Sequence, residues 1–184
     1  EVEDMIVAPD GRVLALVVEI GGFLDMGDVH VAVPWEEIEM TGGDDGIRVP
    51  IDEDNIGEYT LFQDDVLEAG EAGEDVVAGI DDTPTGERAW RASELIGDYA
   101  RVRDDDVWSN YGYVSDMIIE DGKVASVVIT PDVSYGVGGY YAMPYYGYDT
   151  GYGWTPGSTR YDMPYEKVDM ADLTPFEYEE MRTN

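Results

Sequence analysis

One sequence feature constrains this chain more than any other: a strand–turn–strand pattern that occurs twice. "VEDMIV" (2–7) runs through Asp10-Gly11-Arg12 into "VLALVVEI" (13–20), and "VSDMII" (114–119) runs through Asp121-Gly122-Lys123 into "VASVVIT" (124–130). A Pro-aromatic segment follows each, "VAVPWEEIEM" (31–40) in the first case and "YDMPYEKVDM" (161–170) in the second. A motif returning in one order within 184 residues reads as a tandem duplication of a small unit. A unit of this size cannot build a large core. The pattern therefore predicts two small domains.

Both turns carry hairpin chemistry. Pro9-Asp10-Gly11 combines a preset φ, an Asx-type turn former and a residue tolerant of φ > 0, which predicts a three-residue loop with a Gly bulge. Glu120-Asp121-Gly122-Lys123 predicts a tighter two-residue turn. The run 13–20 is apolar on both faces, as in a strand covered on both sides. Val29, Val31 and Val33 alternate with Asp28, His30 and Ala32, as in a half-buried strand, and Pro34 ends its pairing. A further short strand is predicted from Ile47 to Ile51, followed by a turn or short helix over 52–62. No long helical period occurs, so the fold class is all-β.

The predicted division is a first domain over 1–62, an acidic linker over 63–89, a second domain over 90–170 and a short helical tail over 171–184. Every charged residue from Asp64 to Glu87 is acidic, as in a solvated linker. The lead-in from Trp90 to Tyr113 has no counterpart before Val2, so the first domain is expected to lack its opening strand and to leave a sheet edge to be covered: either the strand precedes Glu1, or another segment fills its place, a neighbouring chain by strand addition among them. In the second domain, 134–159 reads as an inserted loop of tyrosines, glycines and prolines with little strand pattern. Thr174-Pro175-Phe176-Glu177 is a helix-start signal, with Thr as N-cap and Pro at the first helical position.

Charge sets the excluded classes. With 42 acidic against 10 basic residues the net charge is −32, and two lysines cannot form a phosphate-binding patch, so nucleic acid is excluded. No apolar run reaches the roughly 20 residues that would insert in a bilayer as a helix. The absence of cysteine removes disulfides and thiolate metal sites. A start inside a strand pattern, without an initiator Met, suggests a removed leader and a periplasmic or extracellular location.

With these residues in view, the chain resembles the PRC-barrel family. Arg91-Ala92-Ser93-Glu94-Leu95-Ile96-Gly97, "VSDMII" and Asp121-Gly122-Lys123 carry the likeness in one half. "VEDMIV", Asp10-Gly11-Arg12, Gly21-Gly22-Phe23-Leu24 and "VAVPW" carry it in the other. The second half looks like the Tyr/Gly-loop variety of exported alphaproteobacterial proteins, with the aromatic insertion in place of the Gly-Gly-Phe-Leu loop. The resemblance implies two six-stranded, partly open barrels that act as adaptor or assembly modules, with no catalytic residues to carry over.

The residues themselves give no enzyme signature. So many carboxylates make chance pairs inevitable, and nucleophile-elbow and zinc-protease motifs are missing. His30 is alone and reads as solvent-facing or hydrogen-bonded. The acidic stretches 52–58 and 104–106 fail the EF-hand spacing and read as solvated turns, with loose Ca²⁺ binding as the alternative; no cofactor is expected. The candidate interface is Tyr135, Tyr140, Tyr141, Tyr145, Tyr146, Tyr148, Tyr152 and Trp154, with Phe23 and Leu24 from the first domain. Tyr and Trp offer large contact area at low entropic cost. The same loop would also serve as a lid on its own barrel or a sugar-contacting surface. The expected function is non-enzymatic protein–protein contact, with self-association through the open edge and the aromatic loop. The alternatives are an accessory subunit docking on a membrane or envelope complex, and a glycan- or Ca²⁺-binding surface protein.

Overall fold

The computed structural model describes residues 1–8, 10–21, 29–41, 46–52, 54–59, 89–147, 151–154 and 157–178. The predicted linker thus lies outside the described residues except for Ala89. The chain forms two compact units, Glu1–Ala92 and Ser93–Asn184. Both are all-β, as the sequence pattern predicts.

The first unit contains β1 (Val2–Val7), β2 (Val13–Ile20), β3 (Val29–Pro34), β4 (Glu39–Met40), β5 (Ile47–Arg48) and β6 (Trp90–Arg91). Its main sheet has the order β3-β2-β1-β6, and β4 pairs with β5 separately. The β1–β2 turn is the expected three-residue hairpin: the Ala8 amide donates to the Arg12 carbonyl at 2.8 Å, and Gly11 takes φ 87. Ala15 to Val18 are all buried, so β2 is covered on both faces. The expected half-burial of β3 is corrected, because Ala32 is buried along with Val31 and Val33. Its amide donates to the Tyr59 carbonyl at 3.1 Å, so the segment around Tyr59 covers that edge.

Of the outcomes expected for the β1 edge, the structure shows another segment of the chain filling part of it. β6 pairs antiparallel with it, Ile6 opposite Arg91 and Val7 opposite Trp90. Trp90 is buried, and the Arg91 Nε lies 3.0 Å from an oxygen of the buried Asp4 carboxylate. Trp90 and Arg91 therefore complete the first unit instead of opening the second. The chain's own residues thus cover this edge at Ile6 and Val7.

The second unit contains β7 (Tyr99–Asp104), β8 (Val107–Glu120), β9 (Lys123–Pro131), β10 (Tyr141–Pro144), β11 (Gly153–Trp154) and β12 (Arg160–Glu166). They form one sheet, β10-β9-β8-β7-β12-β11, in which only β7–β12 is parallel. The β8–β9 turn has two residues, Asp121 at φ 50 and Gly122 at φ 73, the left-handed pair that a tight hairpin requires. The sheet curls so that its end strands meet: the Trp154 amide in β11 donates at 3.2 Å to the carbonyl of Tyr146, two residues beyond β10.

Strand pairing corrects two further expectations. Pro34 lies opposite Ala15 in the first sheet and Pro144 opposite Ser126 in the second, so "YAMPY" (141–145), not "YDMPY" (161–165), occupies the place of "VAVPW". The span 134–159 is accordingly no strandless insertion, since it contains β10 and β11. At the C-terminus, Thr174 does not cap a helix. The Phe176 amide donates to the Tyr140 carbonyl at 2.6 Å, which holds this segment extended as a bridge to Tyr140. A 3-10 turn at Lys167–Asp172 precedes it, closed by reciprocal bonds between Glu166 and Asp169. The helix expected from Pro175 through about Met181 begins only at Tyr178, and residues 179–184 lie outside the described residues.

Gly153 has φ 78, and a Cβ built there would overlap the Tyr146 carbonyl oxygen. Gly151 has a similar φ of 74 but open space around it. Gly151→Ala is expected to cost about 1–3 kcal/mol from backbone strain alone. Gly153→Ala is expected to cost measurably more in urea unfolding, because the overlap must also be relieved. Equal losses would mean that β11 does not pack against Tyr146.

Candidate functional site

The predicted aromatic interface divides: Tyr141 and Trp154 are buried, Tyr135, Tyr145 and Tyr146 half-buried, and Tyr140 and Tyr152 exposed. Tyr141 and Trp154 are corrected outright: they are 5% and 2% exposed, because alternation along β10 and β11 turns them into the core. The Tyr135 ring stacks edge-on against Tyr111 at 4.8 Å, and its hydroxyl donates to the Asn110 carbonyl at 2.8 Å. Tyr140 meets Tyr178 at 5.2 Å, and the hydroxyls of Tyr146 and Tyr165 are 2.9 Å apart. Tyr145 is half-buried, and its amide donates to the Ala125 carbonyl at 3.0 Å. Phe23, Leu24 and Tyr148 lie outside the described residues.

At the centre of this seam is Tyr161, a fully buried residue of β12. Its hydroxyl donates to the Pro144 carbonyl at 3.1 Å and accepts from the Tyr146 amide at 2.7 Å. Burial pushes the phenol's pKa up, opposed by the hydrogen bond from the Tyr146 amide, so the hydroxyl stays protonated and keeps its donor. The aromatic segment thus closes the curled sheet.

Of the predicted set, Tyr140 and Tyr152 stay exposed, at 43% and 36%, and further exposed rings lie on the outer face of β8, β7 and β12. Alternation along β7 points Tyr99, Arg101 and Arg103 outward. Trp108 stands opposite Arg103 in the ladder, with the Arg101 and Arg103 guanidinium carbons 5.3 and 5.5 Å from its ring centre. Both distances suit cation–π contact. Tyr152 meets Trp108 edge-on at 6.3 Å. Arg101 is fixed by a two-pronged pair with Asp162 on the adjoining β12, at 2.6 and 2.8 Å. Tyr99 and Tyr113 stack at 5.1 Å and are 41% and 42% exposed. Arg160, two residues before Asp162 and opposite Tyr99, adds a third guanidinium on this face.

Residues 1–56 match the PRC-barrel domain family. No curated protein and no solved structure matched the chain. The matched segment holds β1 to β5 of the first unit. The PRC-barrel match ends before Trp90–Arg91, so the strand pair that fills the β1 edge comes from outside it. PRC-barrel domains are in general non-catalytic.

Both acidic turns singled out in the sequence are engaged within their own units. Asp52 accepts from the amides of Asp54 and Asn55 at 2.9 and 3.0 Å. Asp104 pairs with Lys167 at 2.7 Å, and Asp106 lies 3.9 Å from Arg103. Among the described residues, no helix is long and apolar enough to cross a membrane.

The arginine–aromatic face went unrecognised in the sequence, although Tyr99-x-Arg101-x-Arg103 has the period-two alternation of a strand. Asp98 was missed as well. It is 7% exposed at the start of β7, and one carboxyl oxygen is buried without a hydrogen-bond partner. Burial, with repulsion from Glu94, pushes its pKa from 3.8 up to about 7. The folded state therefore holds a proton that the unfolded chain has released, and this group's contribution to stability falls as pH rises from about 4 to about 7. Asp98→Asn is expected to flatten the stability profile over that window and to be more stable than the parent at pH 8. An unchanged slope would contradict the assignment.

Proposed function

We propose that the chain is a non-catalytic protein-binding module that associates with further copies of itself through the outer face of β8, β7 and β12. The observation that carries this reading is the Trp108 cluster. In a chain of net charge −32, three of ten basic residues share this face: Arg101 and Arg103 against the half-buried Trp108, and Arg160 opposite Tyr99 of the exposed tyrosine pair. Trp, Tyr and Arg are the side chains enriched where protein interfaces concentrate their energy. A face of this kind suits an acidic partner, and an acidic surface is what a second copy offers. The partner is thus identified by its charge.

The reading also takes the second unit as another PRC-barrel, which would make the chain a tandem of two. Its support is the pairing pattern. The first hairpin shifts register between Val2 and Asp4 and again between Ile6 and Val7, and the second does so between Val114 and Asp116 and between Ile118 and Ile119. Asp4 and Asp116 each accept a hydrogen bond from the next residue's amide, at 2.8 and 2.7 Å.

Light scattering on the full chain at physiological ionic strength tests the interface. The parent chain is expected to exceed its monomer mass of 20.4 kDa as concentration rises, and Trp108→Ala combined with Arg103→Glu to return it to monomer. A parent that stays monomeric contradicts self-association. A variant that assembles as well as the parent moves the interface off this face.

A further inference from the structure

The first unit holds a second cluster, independent of the arginine–aromatic face. His30 in β3 lies directly opposite Glu19 in β2, and Glu3 in the adjoining β1 completes a row across three neighbouring strands. Ligand atoms of Glu3, Glu19 and His30 all fall within 4.8 Å of one another, and the His30 Nε2 is 3.6 Å from a Glu3 oxygen. Glu3 is the extra residue between Val2 and Asp4, where the β1–β2 register shifts. Bulges of this kind re-aim a side chain, here toward the two residues facing it. All three are solvent-accessible, with Glu3 and His30 41% and 45% exposed.

From this geometry we infer that Glu3, Glu19 and His30 form a binding site for a divalent transition-metal ion of the Zn²⁺ class. The donor set decides the class. One imidazole with two carboxylates suits Zn²⁺, whereas Ca²⁺ and Mg²⁺ prefer all-oxygen shells. Tetrahedral zinc with bonds of about 2.1 Å places its ligands roughly 3.4 Å apart. The Glu3–His30 spacing is already near that value, and small side-chain rotations of Glu3 and the half-buried Glu19 supply the rest. Three protein ligands leave a fourth position open to water or to a donor from a partner. The backbone beneath is a paired sheet, so the three Cα positions are set before any ion arrives.

The second unit provides an internal contrast. By strand register, Glu3, Glu19 and His30 correspond there to Ser115, Thr130 and Tyr140, none of which is a strong metal ligand. The site belongs to the first unit alone. His30 is also the chain's one histidine, so its ring reports on this position without ambiguity.

The test is a Zn²⁺ titration of the full chain, with excess Mg²⁺ present to occupy non-specific carboxylate sites. Heat is followed by calorimetry, and the His30 ring proton resonances by NMR. One equivalent of Zn²⁺ is expected to shift the ring signals to completion. His30→Gln and Glu3→Gln are each expected to weaken binding about tenfold or more, taking the loss seen for outer-shell partners as the lower bound. Because all three side chains lie on the solvent face, the variants should retain the parent's far-UV spectrum. Ring signals unmoved at one equivalent, or equal affinity in His30→Gln, would overturn the site and leave only diffuse carboxylate binding.

Discussion

The second unit depends on one buried hydroxyl. A curled sheet of six strands has two ends, and unless they are tied their backbone groups face either solvent or one another unpaired. Tyr161 reaches from β12 to the chain just past β10 and satisfies one carbonyl and one amide with a single oxygen. Immediately alongside, β11 adds the bond from Trp154 to Tyr146. Gly153 permits that approach because any side chain would occupy the space of the Tyr146 carbonyl oxygen. The abundance of tyrosine and glycine in this region thus has a structural cause: tyrosines bridge backbone to backbone, and glycine lets strands come close enough to be bridged.

That cause explains what could and could not be read from the sequence. The two hairpins were legible because the residues that form them are adjacent: Asp-Gly turns, apolar runs of period two, and an aspartate at the same step of each first strand. The closing strands were not, because their partners are distant. "YAMPY" and "YDMPY" look almost alike, and only pairing with Ser126 or with Arg101 distinguishes them. Likewise, nothing local in Trp90-Arg91 says that it belongs with Ile6 and Val7, more than eighty positions away. Counting tyrosines located the segment but not which rings face inward, since composition does not tell the buried Tyr141 and Trp154 from the exposed Tyr140 and Tyr152.

The outer faces carry a different logic. In a chain this acidic, self-repulsion is the default, and any face that gathers guanidinium groups and aromatic rings departs from it. Trp108 does so with arginines held by Asp162 and by cation–π contact, so their positions are fixed before a partner arrives. On the first unit, the row of Glu3, Glu19 and His30 departs in the opposite sense, by placing carboxylates side by side with an imidazole. Each feature uses the same scaffold, a paired sheet whose alternation fixes which side chains share a face.

Amide hydrogen exchange in the parent chain and in Tyr161→Phe tests the central claim most directly. The amides of Tyr146 and Trp154 should exchange slowly in the parent, comparably to those within β8 and β9. In Tyr161→Phe those two should speed up by an order of magnitude or more, matching about 1–3 kcal/mol for stranding a buried polar group, while β8 and β9 stay protected. Fast exchange at Tyr146 in the parent, or no change on removing the hydroxyl, would contradict the account of Tyr161 as the tie that closes the sheet.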